Sequence, residues 1–317
     1  MHPETEKPRC LFIVGPTAGG KTSLALDLAD FLHAGIISAD SRQIFRGMNI
    51  GTATPTDEEL KRVRHYFINE RSPDEPFSAG EFGSLARKII DENMRSGASV
   101  IICGGSGLYI QAILGMISDE LGSDARIREK IQERAKREGW ETLYRELLEQ
   151  DPDYAQGLDA KNPKRVCRAL EIAEMTGRKP SDIYREQTSD FPWPRLMIGL
   201  APRRDLLYER IDRRVLDMID AGWIDEVRAL LDQGYDPGLN ALNTVGYKEI
   251  IAFLQGKAGL EKTIGEIQKH TRHFAKRQMT WFRKYAPDHW ITFDREPAPG
   301  EILERAKAIL HDAAEEK

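Results

Sequence analysis

The stretch "GPTAGGKT", Gly15–Thr22, places glycines, a lysine and a threonine at the spacing Gly15-x-x-x-x-Gly20-Lys21-Thr22. That spacing can cradle a phosphate compound. Glycines allow tight turns, so successive backbone N–H groups and the start of a following helix point at one anion. Lys21 adds positive charge and Thr22 a hydroxyl that can hold Mg²⁺. The phosphate-binding set is Gly15, Pro16, Thr17, Ala18, Gly19, Gly20, Lys21 and Thr22. The alternative is a glycine-rich strand-to-helix turn with no ligand.

ATP hydrolysis usually needs a second strand ending in an acid that serves Mg²⁺ and water, yet "SVIICGG", 99–105, ends in glycines. The acid at a strand end is Asp40, within "ISADSRQIFRGMNIGTATP". It can be a Mg²⁺ ligand, a general base at the carboxyl edge of a sheet, or a helix N-cap. Its position leaves all three open.

The elements that must position these residues alternate. Apolar runs at 10–14, 35–40 and 98–105 are separated by helical patterns near 21–32 and 81–96, an order that predicts βαβ units and a parallel sheet. From Met116 to Pro194 the chain turns charged and helix-rich with no convincing strand. Then "RLMIGLAP", 195–202, reads as a returning strand, followed by long helices and a last strand at 289–294. The expected fold is α/β: a core with a parallel sheet from 1–115 and 195–317, and a helical insertion at 116–194.

Composition bounds the function. With 46 Lys and Arg against 51 Asp and Glu in 317 residues, the net charge of −5 gives no global attraction for nucleic acid, so any such surface must be local. The three cysteines, Cys10, Cys103 and Cys167, lack paired spacing, which fits a reduced, cytoplasmic compartment. The polar N-terminal stretch has no apolar core of a secretion signal, and no long apolar run predicts a membrane span.

Read together, "GPTAGGKT" 15–22, "ISADSRQIFRGMNIGTA" 37–53, "GGSGLYIQA" 104–112, "NPKRVCRALEI" 162–172, "GYKEI" 246–250 and "KRQMTWFRK" 276–284 resemble the bacterial tRNA dimethylallyltransferases, in order and over nearly the whole chain. The resemblance implies a P-loop NTPase-like core whose loop holds the diphosphate of dimethylallyl diphosphate. The five-carbon group would pass to N6 of the adenosine just 3′ of the tRNA anticodon. Asp40 would take the proton from the attacking amine. Thr17 would hydrogen-bond the oxygen joining prenyl group to diphosphate. Gly20, Lys21, Thr22 and Arg214 would neutralise the leaving diphosphate, with Mg²⁺ assisting at Thr22. The resemblance also assigns tRNA contacts to Asp40, Ser41, Arg42, Gln43, Ser106, Arg128, Lys164, Arg165, Val166, Cys167 and Arg168. Partners are then the tRNA anticodon arm and dimethylallyl diphosphate, with no membrane and no obligate protein partner. Departures from the family pattern are Gly19 for a usual serine, Ser106 for threonine and Phe45 for tyrosine.

The basic residues give a reading of their own. Lys164, Arg165 and Arg168 follow Asn162-Pro163 at a helix start, where the dipole end is positive and acids are expected. A phosphate backbone gains from both the side chains and the helix end, which favours RNA over a solvated face. Between Glu266 and Tyr285, Lys269, Arg272, His273, Lys276, Arg283 and Lys284 share an arc of ~120°, with Ile267, Phe274, Trp281 and Tyr285 expected in the core opposite. Arg203, Arg210 and Arg214 share one helix face, as suited to salt bridges as to phosphate. Three rivals remain: an adenylate prenyltransferase using a free nucleotide, a small-molecule kinase, and a nucleotide-switched RNA-binding module.

Overall fold

The computed structural model describes residues 9–117, 122, 124–158, 162–186, 191–285 and 287–315, so the polar stretch read at the N-terminus lies outside the described residues up to position 8. Among these residues the strands are β1 (Cys10–Val14), β2 (Gly35–Ser38), β3 (His65–Tyr66), β4 (Val100–Gly104), β5 (Arg195–Pro202) and β6 (His289–Phe293). Helices, in chain order, are α1 (Lys21–Leu32), α2 (Asp57–Arg62), α3 (Ala79–Arg95), α4 (Gly107–Ile113), α5 (Ala125–Glu138), α6 (Trp140–Gln150) and α7 (Pro152–Gly157). They continue as α8 (Pro163–Thr176), α9 (Pro180–Glu186), α10 (Arg204–Asp220), α11 (Trp223–Asp232), α12 (Tyr247–Leu254), α13 (Leu260–Lys284) and α14 (Glu301–Glu315).

The chain divides into two compact units. One holds Met1–Phe77, Ala86–Ile110 and Pro192–Lys317, and the other Ser78–Leu85 and Gln111–Phe191. Against the expected insertion at 116–194, the second unit starts five residues earlier, ends three earlier and includes a separate stretch at 78–85.

In the first unit a sheet in the order β3-β2-β4-β1-β5-β6 is parallel at every pairing. Its inner strands are near-continuous apolar runs because helices cover both faces. Every residue of β1 is buried. The central position of β1 follows from its two partners: Val14 lies opposite Gly104 on one side and Gly199 on the other. Ser38 ends β2 opposite Cys103, so the chain beyond Val14 and beyond Ser38 leaves by the same carboxyl edge. Ligands of open α/β sheets bind at that edge. Beneath it, Leu24 and Leu28 of α1 join Ile13, Ile198, Ile291 and Leu310 in one core cluster.

In the second unit α5 to α8 gather around Ile131, Leu143, Leu147, Ala155, Val166, Ala169 and Leu170, and α9 packs on α7 and α8. Its charged sequence still builds a core because the apolar residues fall on helical stripes. No strand occurs there among the described residues. Asp151 joins the N-terminus of α7 to that of α9, accepting the N–H of Tyr154 at 3.1 Å and of Ser181 at 2.7 Å.

Candidate active site

The phosphate loop owes its shape to close backbone approach. Gly15 has φ 147°, and a Cβ there would meet the Leu200 carbonyl at 2.6 Å. Gly19 donates its N–H to the Pro16 carbonyl at 3.1 Å, and a Cβ there would lie 2.8 Å from the same oxygen. The glycine that departs from the family pattern thus suits the turn this loop makes. Gly20, at φ 90°, precedes α1 with no side-chain cap, and α1 has no acid in its first turn. The N-terminal amides of α1 are left for an anion.

Lys21 donates from Nζ to the Pro16 carbonyl at 2.7 Å. Burial, and Arg214 nearby, pull its ammonium down to about 8 against the opposing influence of Cys103 and Asp40. Thr22 is exposed beside it. A cavity of about 260 Å³ is lined by the loop from Ala18 to Ser23, by Thr54 and Glu59, and by Arg214. A second cavity of about 700 Å³, lined by residues of α10 and α13, contains no phosphate-loop residue.

Asp40 is half-buried and starts a turn rather than a helix, accepting the Arg42 N–H on Oδ1 at 2.9 Å. The N-cap option therefore falls. Gln43 is used internally: its Oε1 accepts the Ser38 hydroxyl at 2.7 Å, and its Nε2 donates to the carbonyls of Thr52 and Ala53 at 3.2 and 3.0 Å. Arg42 and Ser41 are half-buried beside it, and burial pulls the Arg42 guanidinium below its ordinary value. Phe45 is buried, so its ring packs in the core. Ser106 donates its N–H to the Ala39 carbonyl at 3.2 Å, tying the end of β4 to the residue before Asp40.

The three arginines on α10 and just before it part company. Arg203 pairs with Asp205 and Asp294, and Arg210 binds Glu296, Nε to Oε1 at 2.9 Å. Arg214 makes no ion pair among the described residues. Burial pulls its guanidinium down, with only Asp40 opposing. A desolvated, unpaired cation is costly in a protein and gains most from an anionic ligand.

Two polar side chains, one buried and one half-buried, are not among the site residues expected from the sequence. Gln278 of α13, 7% exposed, accepts the Thr17 N–H at 2.8 Å and donates to the Gly105 carbonyl at 3.0 Å. The signal was present: Ala275, Gln278 and Phe282 fall on one buried stripe, with a polar residue where a core residue belongs. Glu226 of α11 accepts three consecutive backbone N–H groups at 49–51, which no local spacing announces. Phe274, expected in the core, is 38% exposed, with Arg277 over its ring. His270 is committed to Glu249, Nδ1 to Oε1 at 2.7 Å.

In the second unit, Lys164 and Arg165 are exposed at the start of α8, with no side-chain cap and no ion pair among the described residues. Arg168 differs from them. Its Nη1 lies 2.9 Å from Oε1 of buried Glu171, without hydrogen-bond alignment, and its Nη2 donates to the Gly122 carbonyl at 2.7 Å. Arg128 reaches the same Glu171 carboxylate at 3.1 Å. Both arginines are therefore spent, at least in part, on neutralising an acid that is only 3% exposed. Val166 is 0% exposed, so its side chain serves the core of this unit, and Cys167 packs half-buried on the same core.

The comparisons with known proteins agree with one another. The family model described as IPP transferase matches residues 43–285. The tRNA dimethylallyltransferase of Acetivibrio thermocellus is 41% identical over 305 residues, covering 95% of this chain and 96% of that one. The tRNA dimethylallyltransferase 1 of Bacteroides thetaiotaomicron is 40% identical over 96% of this chain and 97% of its own. The crystal structure of the tRNA isopentenylpyrophosphate transferase from Bacillus halodurans superposes with TM-score 0.70 at 36% identity, covering 96% of this chain and 98% of that one. A eukaryotic dimethylallyltransferase, crystallised acting on tRNA, gives TM-score 0.84 at 25% identity over 98% of this chain and 80% of its own.

Proposed function

Because the chain belongs to the IPP transferase family, we propose that it is a tRNA dimethylallyltransferase, which moves a dimethylallyl group from dimethylallyl diphosphate to N6 of adenosine 37, next to the anticodon. The observation that carries this reading is the half-buried Arg214, which makes no ion pair among the described residues, at the rim of the phosphate loop. The diphosphate sits against Lys21, Arg214 and the N-terminal amides of α1. As the bond from C1 of the prenyl group to the bridging oxygen breaks, charge grows on the diphosphate, and these prepared cations and donors stabilise it. The loop works as a sink for a leaving group rather than as a hydrolytic site.

On the other side of the reacting carbon, Asp40 accepts the proton that N6 sheds as the new C–N bond forms. Thr17 gives its hydroxyl to the bridging oxygen. Thr22 fits a role toward Mg²⁺: its hydroxyl is exposed in the cradle, and Mg²⁺ commonly takes few protein ligands together with substrate phosphates and water. Bound there, Mg²⁺ supplies further charge to the diphosphate. Lys164 and Arg165, exposed at the start of α8 with no ion pair among the described residues, grip the RNA backbone. The adenosine leaves its stack to reach Asp40, at a cost of a few kcal/mol. The reaction belongs in the cytoplasm, where the free thiols of Cys10, Cys103 and Cys167 stay reduced. No helix among the described residues is long and apolar enough to cross a membrane.

The test is incubation with labelled dimethylallyl diphosphate and, in parallel, tRNA or AMP, without ATP. Label should enter tRNA alone. Label in AMP would point to the free-nucleotide transferase, and a strict requirement for ATP would overturn the assignment of the loop.

A further inference from the structure

Gln278 touches both halves of the site at once. Its carboxamide accepts the Thr17 N–H at 2.8 Å and donates to the Gly105 carbonyl at 3.0 Å. Gly105 precedes Ser106, whose N–H binds the Ala39 carbonyl at 3.2 Å, and Ala39 precedes Asp40. One side chain of α13 thus joins the segment that holds the leaving group to the segment that holds the acid. The approach is tight. A Cβ on Gly105 would lie 2.1 Å from Gln278 Nε2, and one on Gly107 would lie 2.4 Å from Trp281 of the same helix.

Ordinary phosphate loops aim their backbone N–H groups at the anion, but here the Thr17 N–H is turned to a buried protein oxygen. That amide therefore contributes orientation, not charge neutralisation. Both of the groups that Gln278 satisfies are backbone groups, and Gln278 itself is only 7% exposed, so removing it strands a donor and an acceptor away from water. The loops then have to shift to find new partners.

We propose that Gln278 is a positioning residue for the transfer: it sets Thr17 of the phosphate loop at a constant separation from Asp40, through Gly105, Ser106 and Ala39. This rests on the roles given above to Thr17 and Asp40. The carboxamide is the group suited to the task, since it offers an acceptor and a donor from one planar end. A leucine fills similar space and offers neither. A glutamate keeps the acceptor for Thr17 and loses the donor to Gly105.

The experiment compares single-turnover rates of the full chain, its Gln278→Glu and Gln278→Leu variants and Asp40→Asn, with tRNA and dimethylallyl diphosphate saturating. Misplacing reacting groups by about 1 Å costs on the order of 10²-fold, so Gln278→Leu should lose about 10- to 100-fold and Gln278→Glu less. Inorganic diphosphate and tRNA should bind both Gln278 variants within about threefold of the parent, a split that loss of binding alone does not produce. If Gln278→Leu does not fold, Gln278→Glu decides. A parental rate in Gln278→Glu, or a rate loss matched by an equal loss of diphosphate affinity, overturns the proposal. Asp40→Asn is the separate control: if it keeps the parental rate, the reading of the acid fails, whatever Gln278 does.

Discussion

Glu226 holds Ile50 by its backbone: Oε2 accepts the Ile50 N–H at 2.6 Å and the Asn49 N–H at 2.7 Å, while Oε1 accepts the Gly51 N–H at 3.1 Å and the Tyr247 hydroxyl at 2.6 Å. Trp223 presses on the same loop, since a Cβ on Gly51 would lie 2.0 Å from its Nε1. Downstream, Thr52 and Ala53 receive Gln43, and Ala53 and Thr54 line the phosphate cavity. A carboxylate on α11 therefore fixes a loop that serves both the Asp40 turn and the leaving-group side.

Glu226→Ala strands three backbone donors and the Tyr247 hydroxyl in a partly buried place. It should lower unfolding stability by about 2–4 kcal/mol, read as a shift in the urea midpoint with little change in slope. An unshifted midpoint would mean that the loop holds itself.

Asp40→Asn removes the base but can keep a turn-forming oxygen for the Arg42 N–H. Turnover should fall on the order of 10²- to 10⁴-fold, with tRNA affinity within a few-fold, measured by single-turnover transfer and filter binding. A normal rate in a folded variant would reduce Asp40 to a turn former.

Lys21 carries a pH signature. Its ammonium, held to about 8 instead of the ordinary 10.5, loses its proton as pH rises through 8, whereas a bound diphosphate favours the charged form. Diphosphate affinity should therefore weaken above pH 8 more steeply in the parent than in Lys21→Met, by calorimetry in buffers of different ionisation heat. The same shift makes this group's contribution to stability rise with pH between about 8 and 10.5, because the unfolded chain keeps the proton that the folded chain has lost.

Lys164 and Arg165 should behave differently from Arg168. Replacing the first two by alanine should weaken tRNA binding and reduce the slope of log K against log salt by about 0.7 to 0.9 per lost phosphate contact. Dimethylallyl diphosphate affinity should not move. Arg168→Ala should chiefly lower the stability of the helical unit, since Glu171 keeps only Arg128. An unchanged salt slope in the double variant would return these residues to the solvent.

Thr22→Ala should raise the Mg²⁺ concentration needed for half-maximal transfer, because its exposed hydroxyl in the cradle is at the position that serves that ion in a loop of this spacing. Titration of Mg²⁺ against the initial rate checks this, and an unmoved midpoint would remove Thr22 from metal binding.

What the residues alone determined is what depends on near neighbours in the chain. The phosphate loop is such a feature, since Gly15, Gly20, Lys21 and Thr22 lie within one strand-to-helix turn and their spacing dictates how the backbone can bend. The strands at 10–14 and 195–202 were equally legible, because a strand buried on both faces is apolar throughout. Tertiary structure decided what depends on distant partners. Arg203, Arg210 and Arg214 look alike on a helix face, and only the placement of the distant Asp294 and Glu296 sets them apart from Arg214, which has no ion pair among the described residues. Arg168 reads like Lys164 until Glu171 is found buried beneath it. Gln278 and Glu226 reach across 261 and 176 residues to bind backbone groups. Backbone N–H and C=O groups are the same at every residue, so a side chain that satisfies one far along the chain leaves no pattern in the sequence; only folding brings donor and acceptor within 3 Å of each other.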